Sequence, residues 1–149
     1  MNAGQWAVLL NVASTWYMVG LIWVIQIVHY AMFDQVGEQN FQRYAVDHAR
    51  RITPVVGIPM LIELATSAYL VYRPPPEVRV SWLWIGLVMV GLIWASTAAI
   101  QVPCHDQLGR GFDADVCRRL VHSNWIRTVL WSARGVLTFY LVSRLLSAD

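Results

Sequence analysis

Residues 80–104 read VSWLWIGLVMVGLIWASTAAIQVPC and contain no charged side chain. A helix that crosses the hydrocarbon core of a bilayer needs about 20 mainly apolar residues, so this stretch is long enough to span a membrane. Three other stretches share the pattern: residues 1–33 carry no Asp, Glu, Lys or Arg, residues 52–72 carry only Glu63, and residues 120–143 carry only Arg127 and Arg134. The sequence therefore predicts an integral membrane protein with four spans.

The composition agrees with this prediction. Of the 149 residues, 57% are hydrophobic and 13% are charged, whereas soluble domains carry about 25% charged residues. Backbone groups in lipid must be hydrogen-bonded within the protein, so the spans are expected to be helices. We predict an all-α fold, an integral membrane four-helix bundle that forms a single transmembrane domain over residues 1–149, with helices at about 6–33, 51–72, 80–104 and 120–145. The expected partners are the lipid bilayer and a small lipophilic ligand, with no nucleic acid and with a homo-oligomer left open.

The connections between the spans indicate the topology. The short, proline-rich segment at residues 73–79 predicts that the second and third helices are antiparallel neighbours, while residues 34–50 and 106–119 are expected to form longer polar loops. Basic residues favour the cytoplasmic side. Six arginines lie on the side of the long loops and three on the other side. We therefore predict a multi-pass protein of the cell (inner) membrane with both termini outside and the long loops in the cytoplasm, where Cys104 and Cys117 would be thiols.

The two halves of the chain resemble each other. Residues 25–29 (IQIVH) match residues 100–105 (IQVPCH) with one insertion, and residues 34–37 (DQVG) match residues 106–109 (DQLG). His48 and His122 each lie four residues before an isoleucine. These matches predict two copies of one helical hairpin, related by an axis along the membrane normal.

Polar side chains recur at helical spacing within the spans, which places them on one face of each helix. The predicted stripes are Asn11, Thr15, Met18, Ile22, Gln26 and His29 in the first helix; Pro59, Glu63, Thr66 and Ser67 in the second; Gly91, Trp94, Ala98, Gln101 and His105 in the third; and Asn124, Arg127, Trp131, Arg134 and Thr138 in the fourth. Because lipid offers polar groups no partners, the stripes are expected to face a shared interior.

Two arginines lie within the fourth span. An isolated charge at the bilayer centre costs at least ~2.5–3.5 kcal/mol, and Glu63 is the acid at the depth of Arg134, so we predict a Glu63–Arg134 ion pair. Arg127 has no acid at its depth. It either extends to the interface or reaches Asp47, Asp106, backbone carbonyls or a ligand anion, with Trp131 available to stack on a guanidinium.

All four histidines fall at one end of the predicted bundle. His122 points away from the polar stripe of its helix, which leaves His29, His48 and His105 as candidate metal ligands or catalytic bases. Haem b or a transition metal (Fe or Cu) could bind there. Cofactor-free catalysis is also open, with a histidine as general base and Asn124 and Arg127 stabilising an oxyanion.

Short motifs in the last third of the chain carry a family resemblance. Residues 102–108 (VPCHDQL) and 124–128 (NWIRT) resemble segments of the small four-helix membrane proteins grouped with anthrone oxygenases. The resemblance implies a four-helix membrane fold and, less directly, oxidation of a lipophilic aromatic substrate.

These observations lead to one main functional prediction and two alternatives. The first is an integral-membrane oxidoreductase or oxygenase that acts on a small lipophilic, aromatic or quinone-like substrate in a polar His/Arg pocket at the cytoplasmic end of the bundle. Its supporting residues would be Gln26, Glu63, Gln101, Trp131 and Arg134. The alternatives are a haem- or metal-binding electron-transfer protein and a non-enzymatic transport or partner-binding membrane subunit.

Overall fold

The fold is four long helical segments in sequence. The computed structural model describes residues 2–147, apart from the side chain of Asp34. The elements are α1 (Ala3–Val24), extended by a π-helical segment (Ile25–His29) and a 3-10 segment (Tyr30–Gln35); α2 (Glu38–Tyr72); α3 (Val80–Ser96), which runs through a second π-helical segment (Thr97–Gln101) into α4 (Val102–Leu108); and α5 (Ala114–Leu146). The all-α prediction is confirmed.

Four helical segments are long and apolar enough to cross a membrane: Ala3–Phe33, Glu38–Tyr72, Val80–Leu108 and Ala114–Leu146. We call these the first to fourth spans. The first span packs on α2 and on α5, and α3 packs on α2 and on α5, so the spans surround a common axis. The predicted contact between the second and third helices is confirmed. Large apolar side chains face outward, among them Ile58, Val136 and Phe139, as expected for a surface in contact with lipid.

Three of the predicted helix boundaries are wrong. The second helix begins at Glu38 rather than at residue 51, and the fourth begins at Ala114 rather than at residue 120. The third continues past residue 104 to Leu108. Most of the polar segments that were expected to be loops are therefore extensions of helices.

Local chemistry explains the two early starts. Gly37 has a φ of +77°, a backbone conformation that glycine adopts readily, and it directly precedes α2. Asp113 caps α5 by accepting hydrogen bonds from the backbone N–H groups of Asp115 and Val116. The extension of α2 also buries Phe41 and Ala45 in the apolar core, so packing stabilises it.

The two π-helical segments change which residues of a span face the interior. In the third span the buried positions run from Leu83 through Gly86, Val90, Ile93 and Ser96 to Gln101. The last step is five residues, as expected where hydrogen bonds run from residue i to i+5. The predicted stripe of this span is therefore wrong at Gly91 and Ala98, which are exposed. The prediction assumed α-helical spacing back from Gln101 and so did not allow for the extra residue in the π-helical turn.

Candidate functional site

The deepest polar layer of the bundle is centred on the predicted ion pair. Arg134 Nε donates to Glu63 Oε1 over 2.7 Å. The two side chains are 2% and 1% exposed. Thr15 also donates to Oε1, at 2.7 Å, and the Trp131 indole donates to Oε2, at 3.0 Å. Every span contributes to this layer, since the Gly86 carbonyl of the third span accepts from Arg134 Nη1. The prediction of a Glu63–Arg134 pair is confirmed.

A smaller group of polar side chains extends this layer away from the histidine end. Asn11 is 4% exposed and donates from Nδ2 to Thr66 Oγ1 and to Ser67 Oγ, both at 2.9 Å. Ser67 also accepts from Arg134 Nη2 at 3.3 Å. The first, second and fourth spans are thus joined by one hydrogen-bonded cluster.

A second polar layer lies nearer the histidines and surrounds Arg127. Asn124 Oδ1 accepts from Arg127 Nε at 2.9 Å and from Nη2 at 2.6 Å, and Nη1 donates to Thr97 at 3.3 Å. Asn124 donates in turn to Gln26 Oε1 at 2.8 Å. Arg127 is 5% exposed, so its guanidinium is buried and does not extend to the interface. It lies 5.8 Å from the centroid of Trp131, which links this layer to the ion pair.

The third span completes the second layer through Gln101. Its amide donates to Ser123 Oγ at 3.2 Å and accepts from Ser96 Oγ at 3.1 Å. Gln101 is 1% exposed and Gln26 is 4% exposed, and both lie within the π-helical segments of their spans. The local widening of the helix therefore directs both glutamines into the interior.

Three of the four histidines meet above this layer. His29 Nε2 and His48 Nδ1 are 2.9 Å apart, a hydrogen bond in which one ring donates and the other accepts. The rings of His48 and His105 are 5.4 Å apart between centroids. His122 is exposed on the fourth span. The structure therefore brings together the three histidines that the sequence singled out and excludes the fourth, as predicted.

Aromatic side chains enclose the three histidines, and the sequence analysis missed them. The Tyr30 hydroxyl is 3.1 Å from His105 Nε2, and Tyr30 is 4% exposed. Tyr44 stacks on His48 with an interplanar angle of 16°, and Phe33 contacts both His29 and His48 edge-on. The signal was present, because Tyr44 precedes His48 by four residues on one helix and Tyr30 directly follows His29.

The histidine cluster opens onto a groove between the first and second spans. The groove has a volume of about 340 Å³ and is lined by His29, Tyr44, Asp47, His48, Arg51, Ile52 and Val55. Val55 is 40% exposed on the outer face of α2, so the groove is reached from outside the bundle. Arg127 and Asn124 do not line it. They lie behind the histidines, where Arg127 is within electrostatic range of His105 and Tyr30.

The positions of the imidazoles do not suit a metal ion. Among residues 2–147, no group of three His, Cys, Asp or Glu side chains is arranged to hold one. The geometric reason is the hydrogen bond between His29 and His48, which directs one nitrogen of each ring at the other instead of at a common point. A haem between His29 and His105 would have to displace the His48 ring, which packs against His29 at 4.4 Å and also contacts His105.

Both cysteines are buried near this end of the bundle. Cys104 and Cys117 lie in the apolar cluster that contains Phe33 and Phe41.

No protein-family model, no curated protein and no solved structure matches this chain. Its fold and its site define a four-span helical protein, apolar on the outside, with two layers of buried polar side chains and a cluster of three histidines at one end.

Proposed function

We propose that the chain is an integral-membrane oxidoreductase or oxygenase that acts on a small lipophilic, aromatic or quinone-like substrate in the groove beside His29 and His48. The observation that carries this proposal is the hydrogen-bonded pair of imidazoles on the wall of a groove that opens to the outside of the bundle. A neutral imidazole is the commonest general base in enzymes. The second ring can share a proton that the first accepts, because the two nitrogens are already within hydrogen-bond distance.

The groove suits an aromatic molecule with one acidic position. Ile52 and Val55 offer an apolar wall, while the His29–His48 pair offers one proton acceptor, because one lone pair of the two neutral rings stays outside their mutual hydrogen bond. For an anthrone, loss of a benzylic proton to the pair gives a phenolate-like anion. Addition of O₂ at that carbon, uptake of the proton and loss of water then give the quinone, so that anthrone and O₂ become anthraquinone and water. This cofactor-free route is consistent with the resemblance of residues 102–108 and 124–128 to proteins grouped with anthrone oxygenases.

Arg127 and Asn124 serve in this proposal as positioning residues. Asn124 holds the guanidinium by two hydrogen bonds, and the guanidinium lies behind Tyr30 and His105. Its buried positive charge lowers the energy of an anion formed nearby without contact, since charges in an apolar interior are poorly screened. Trp131 connects this arrangement to the Glu63–Arg134 layer, because its indole N–H donates to Glu63 and its ring centroid lies 5.8 Å from the Arg127 guanidinium.

The test is oxidation of anthrone by the purified protein in lipid nanodiscs, followed as anthraquinone formed and O₂ consumed. We expect turnover that falls by about 100-fold or more in His29→Gln and in His48→Gln, which is the usual contribution of general-base catalysis. His122→Gln is the matched control, because that histidine is exposed outside the cluster. Equal rates in all three variants and the wild type, or no turnover of anthrone and related hydroxyaromatics, would overturn the proposal.

The alternative functions have less support. An electron-transfer role through haem or a metal meets the obstacle that the imidazoles bond to each other. A transport role needs a path through the interior, but the polar side chains there are hydrogen-bonded to one another in two layers, one around Arg134 and one around Arg127. No feature of the described residues specifically favours a partner-binding role.

We also propose that the bundle consists of two copies of one hairpin, with both termini outside the cell membrane. The repeat is supported by the π-helical segments at Ile25–His29 and Thr97–Gln101, which lie in the first and third spans and each contain a buried glutamine. The orientation is supported by the six arginines at the histidine end: Arg43, Arg50, Arg51, Arg110, Arg118 and Arg119. Labelling of single cysteines at Gln39 and Glu77 with an impermeant reagent in intact cells tests the orientation, since only the Glu77 site should react from outside.

A further inference from the structure

The end of the bundle opposite the histidines carries a second groove. It has a volume of about 290 Å³ and is lined by Glu77, Val78, Arg79, Trp82, Tyr140 and Arg144. These residues come from the connection before the third span, from the first turn of that span and from the end of the fourth span. The groove shares no residue with the one beside His29 and His48.

The charges of this groove are unpaired and favour an anion. In the described part of the chain the ion pairs are Arg50–Asp47, Arg118–Asp115 and Arg134–Glu63, so neither Arg79 nor Arg144 is neutralised by a partner. Glu77 also lines the groove and reduces its net formal charge to +1. That charge complements one phosphodiester, and the Glu77 carboxylate could accept a hydrogen bond from a hydroxyl of the same molecule.

The surroundings indicate that the anion is part of a lipid. Trp82 and Tyr140 pack edge-to-face at 5.4 Å and are 38% and 40% exposed. Tryptophan and tyrosine are enriched at the level of the lipid head groups. Val136, one turn from Tyr140 toward the middle of the fourth span, is 72% exposed, and Phe139, which directly precedes Tyr140, is 70% exposed. An acyl chain that lies along these two side chains would place its head group beside the arginines.

We infer that this groove binds the head group of an anionic phospholipid, with Arg79 and Arg144 on the phosphate and Glu77 near the polar alcohol. The bound lipid joins the ends of the third and fourth spans beside the contact between Trp82 and Tyr140. The site is independent of the proposed oxidation, since it uses other residues at the other end of the bundle.

Native mass spectrometry of the detergent-solubilised full chain tests the inference with phosphatidylglycerol and phosphatidylcholine as probes. We expect preferential binding of phosphatidylglycerol, and binding about five-fold weaker in Arg79→Gln and in Arg144→Gln, which is the usual effect of removing one basic residue near an anionic lipid. Arg43→Gln and Arg110→Gln are matched controls, because both arginines are exposed at the histidine end.

Two further measurements identify the source of the phosphate and show whether a variant loses binding because it misfolds. Glycerol phosphate at millimolar concentration is not expected to displace the lipid, and displacement would show a site for free phosphate and overturn the lipid assignment. The double variant Arg79→Lys/Arg144→Lys keeps the charge and should keep the preference for phosphatidylglycerol. Equal binding of the two lipids by the wild type, or equal losses in the Arg43→Gln control, would also overturn it.

Discussion

Glu63 and Arg134 meet in the middle of the bundle, 71 residues apart in the chain, with their closest side-chain atoms 2.7 Å apart and almost no exposed surface. Thr15 and Trp131 donate to Glu63, and Ser67 accepts from Arg134. The pair therefore neutralises two charges that would otherwise lie in an apolar interior, and it connects the second and fourth spans.

Replacing one member of this pair should destabilise the protein strongly. Glu63→Gln leaves Arg134 as an uncompensated buried charge, and breaking such a pair typically costs about 3–5 kcal/mol. We expect a large fall of the melting temperature in detergent, followed by tryptophan fluorescence. Glu77→Gln, at an exposed position, is the control and should melt like the wild type.

The double variant Glu63→Gln/Arg134→Met separates charge from packing. Apolar replacement of a buried pair is often neutral, so the double variant should recover much of the stability lost in Glu63→Gln. If Glu63→Gln and Glu77→Gln unfold at the same temperature, the ion pair does not hold the bundle together.

Gly86 is predicted to tolerate no side chain, because the third span approaches Arg134 there. A Cβ at Gly86 would lie 3.2 Å from Arg134 Nη1 and 3.4 Å from Leu137. The arginine cannot easily move, since Glu63, Thr15 and Ser67 also hold it. We expect Gly86→Ala to lower the melting temperature.

Gly91→Ala is the matched control in the same helix, because a Cβ at Gly91 meets no atom within 4 Å. Replacing an unhindered helical glycine by alanine gains about 0.5–1 kcal/mol, so this variant should be at least as stable as the wild type. A Gly86→Ala variant that is as stable as Gly91→Ala would contradict the close approach.

Asn124 should matter more for stability than its neutral side chain suggests. Asn124→Ala removes the acceptor of two Arg127 donors and the donor to Gln26. Each buried polar group left unsatisfied costs about 1–3 kcal/mol. Chemical unfolding of Asn124→Ala and of the exposed control Asn40→Ala measures this, and similar curves for the two would show that the second polar layer contributes little.

Tyr30 is predicted to affect turnover by holding His105. Tyr30→Phe removes a hydroxyl that lies 3.1 Å from His105 Nε2. Loss of one hydrogen bond of about 1.4 kcal/mol corresponds to about tenfold in rate. The assay is anthrone oxidation, with Tyr17→Phe as the control because Tyr17 is 48% exposed in the first span, far along the helix from the histidines. A rate that Tyr30→Phe leaves unchanged would remove Tyr30 from the site.

Much of this arrangement could be predicted from the sequence, because a polar side chain within a membrane span must find its partners inside the protein. Depth alone pairs Glu63 with Arg134, and the helix ends together with the polar stripes select His29, His48 and His105. The third span resisted prediction, because its π-helical segment shifts the buried face by one residue between Ser96 and Gln101. The residue types at positions 97–101 do not predict this shift of the buried face.

The helix starts and the aromatic residues around the site were missed for different reasons. Residues 38–50 are polar enough to resemble a loop, and only the burial of Phe41 and Ala45 makes them a helix of the bundle. Tyr30 and Tyr44 resemble interfacial aromatic residues in the sequence. Their contacts with His105 and His48 depend on how the first and second spans pack, which periodicity does not reveal.

The hydrogen bond between His29 and His48 is the central feature of the proposed site, and nitrogen NMR measures it directly. The chain has four histidines, so a sample labelled with ¹⁵N at histidine gives a simple spectrum in nanodiscs. We predict a through-hydrogen-bond coupling between His29 Nε2 and His48 Nδ1 that persists in His122→Gln and is lost in His29→Gln and in His48→Gln. Two imidazoles with no mutual coupling in the wild type would contradict the pair on which the proposed chemistry rests.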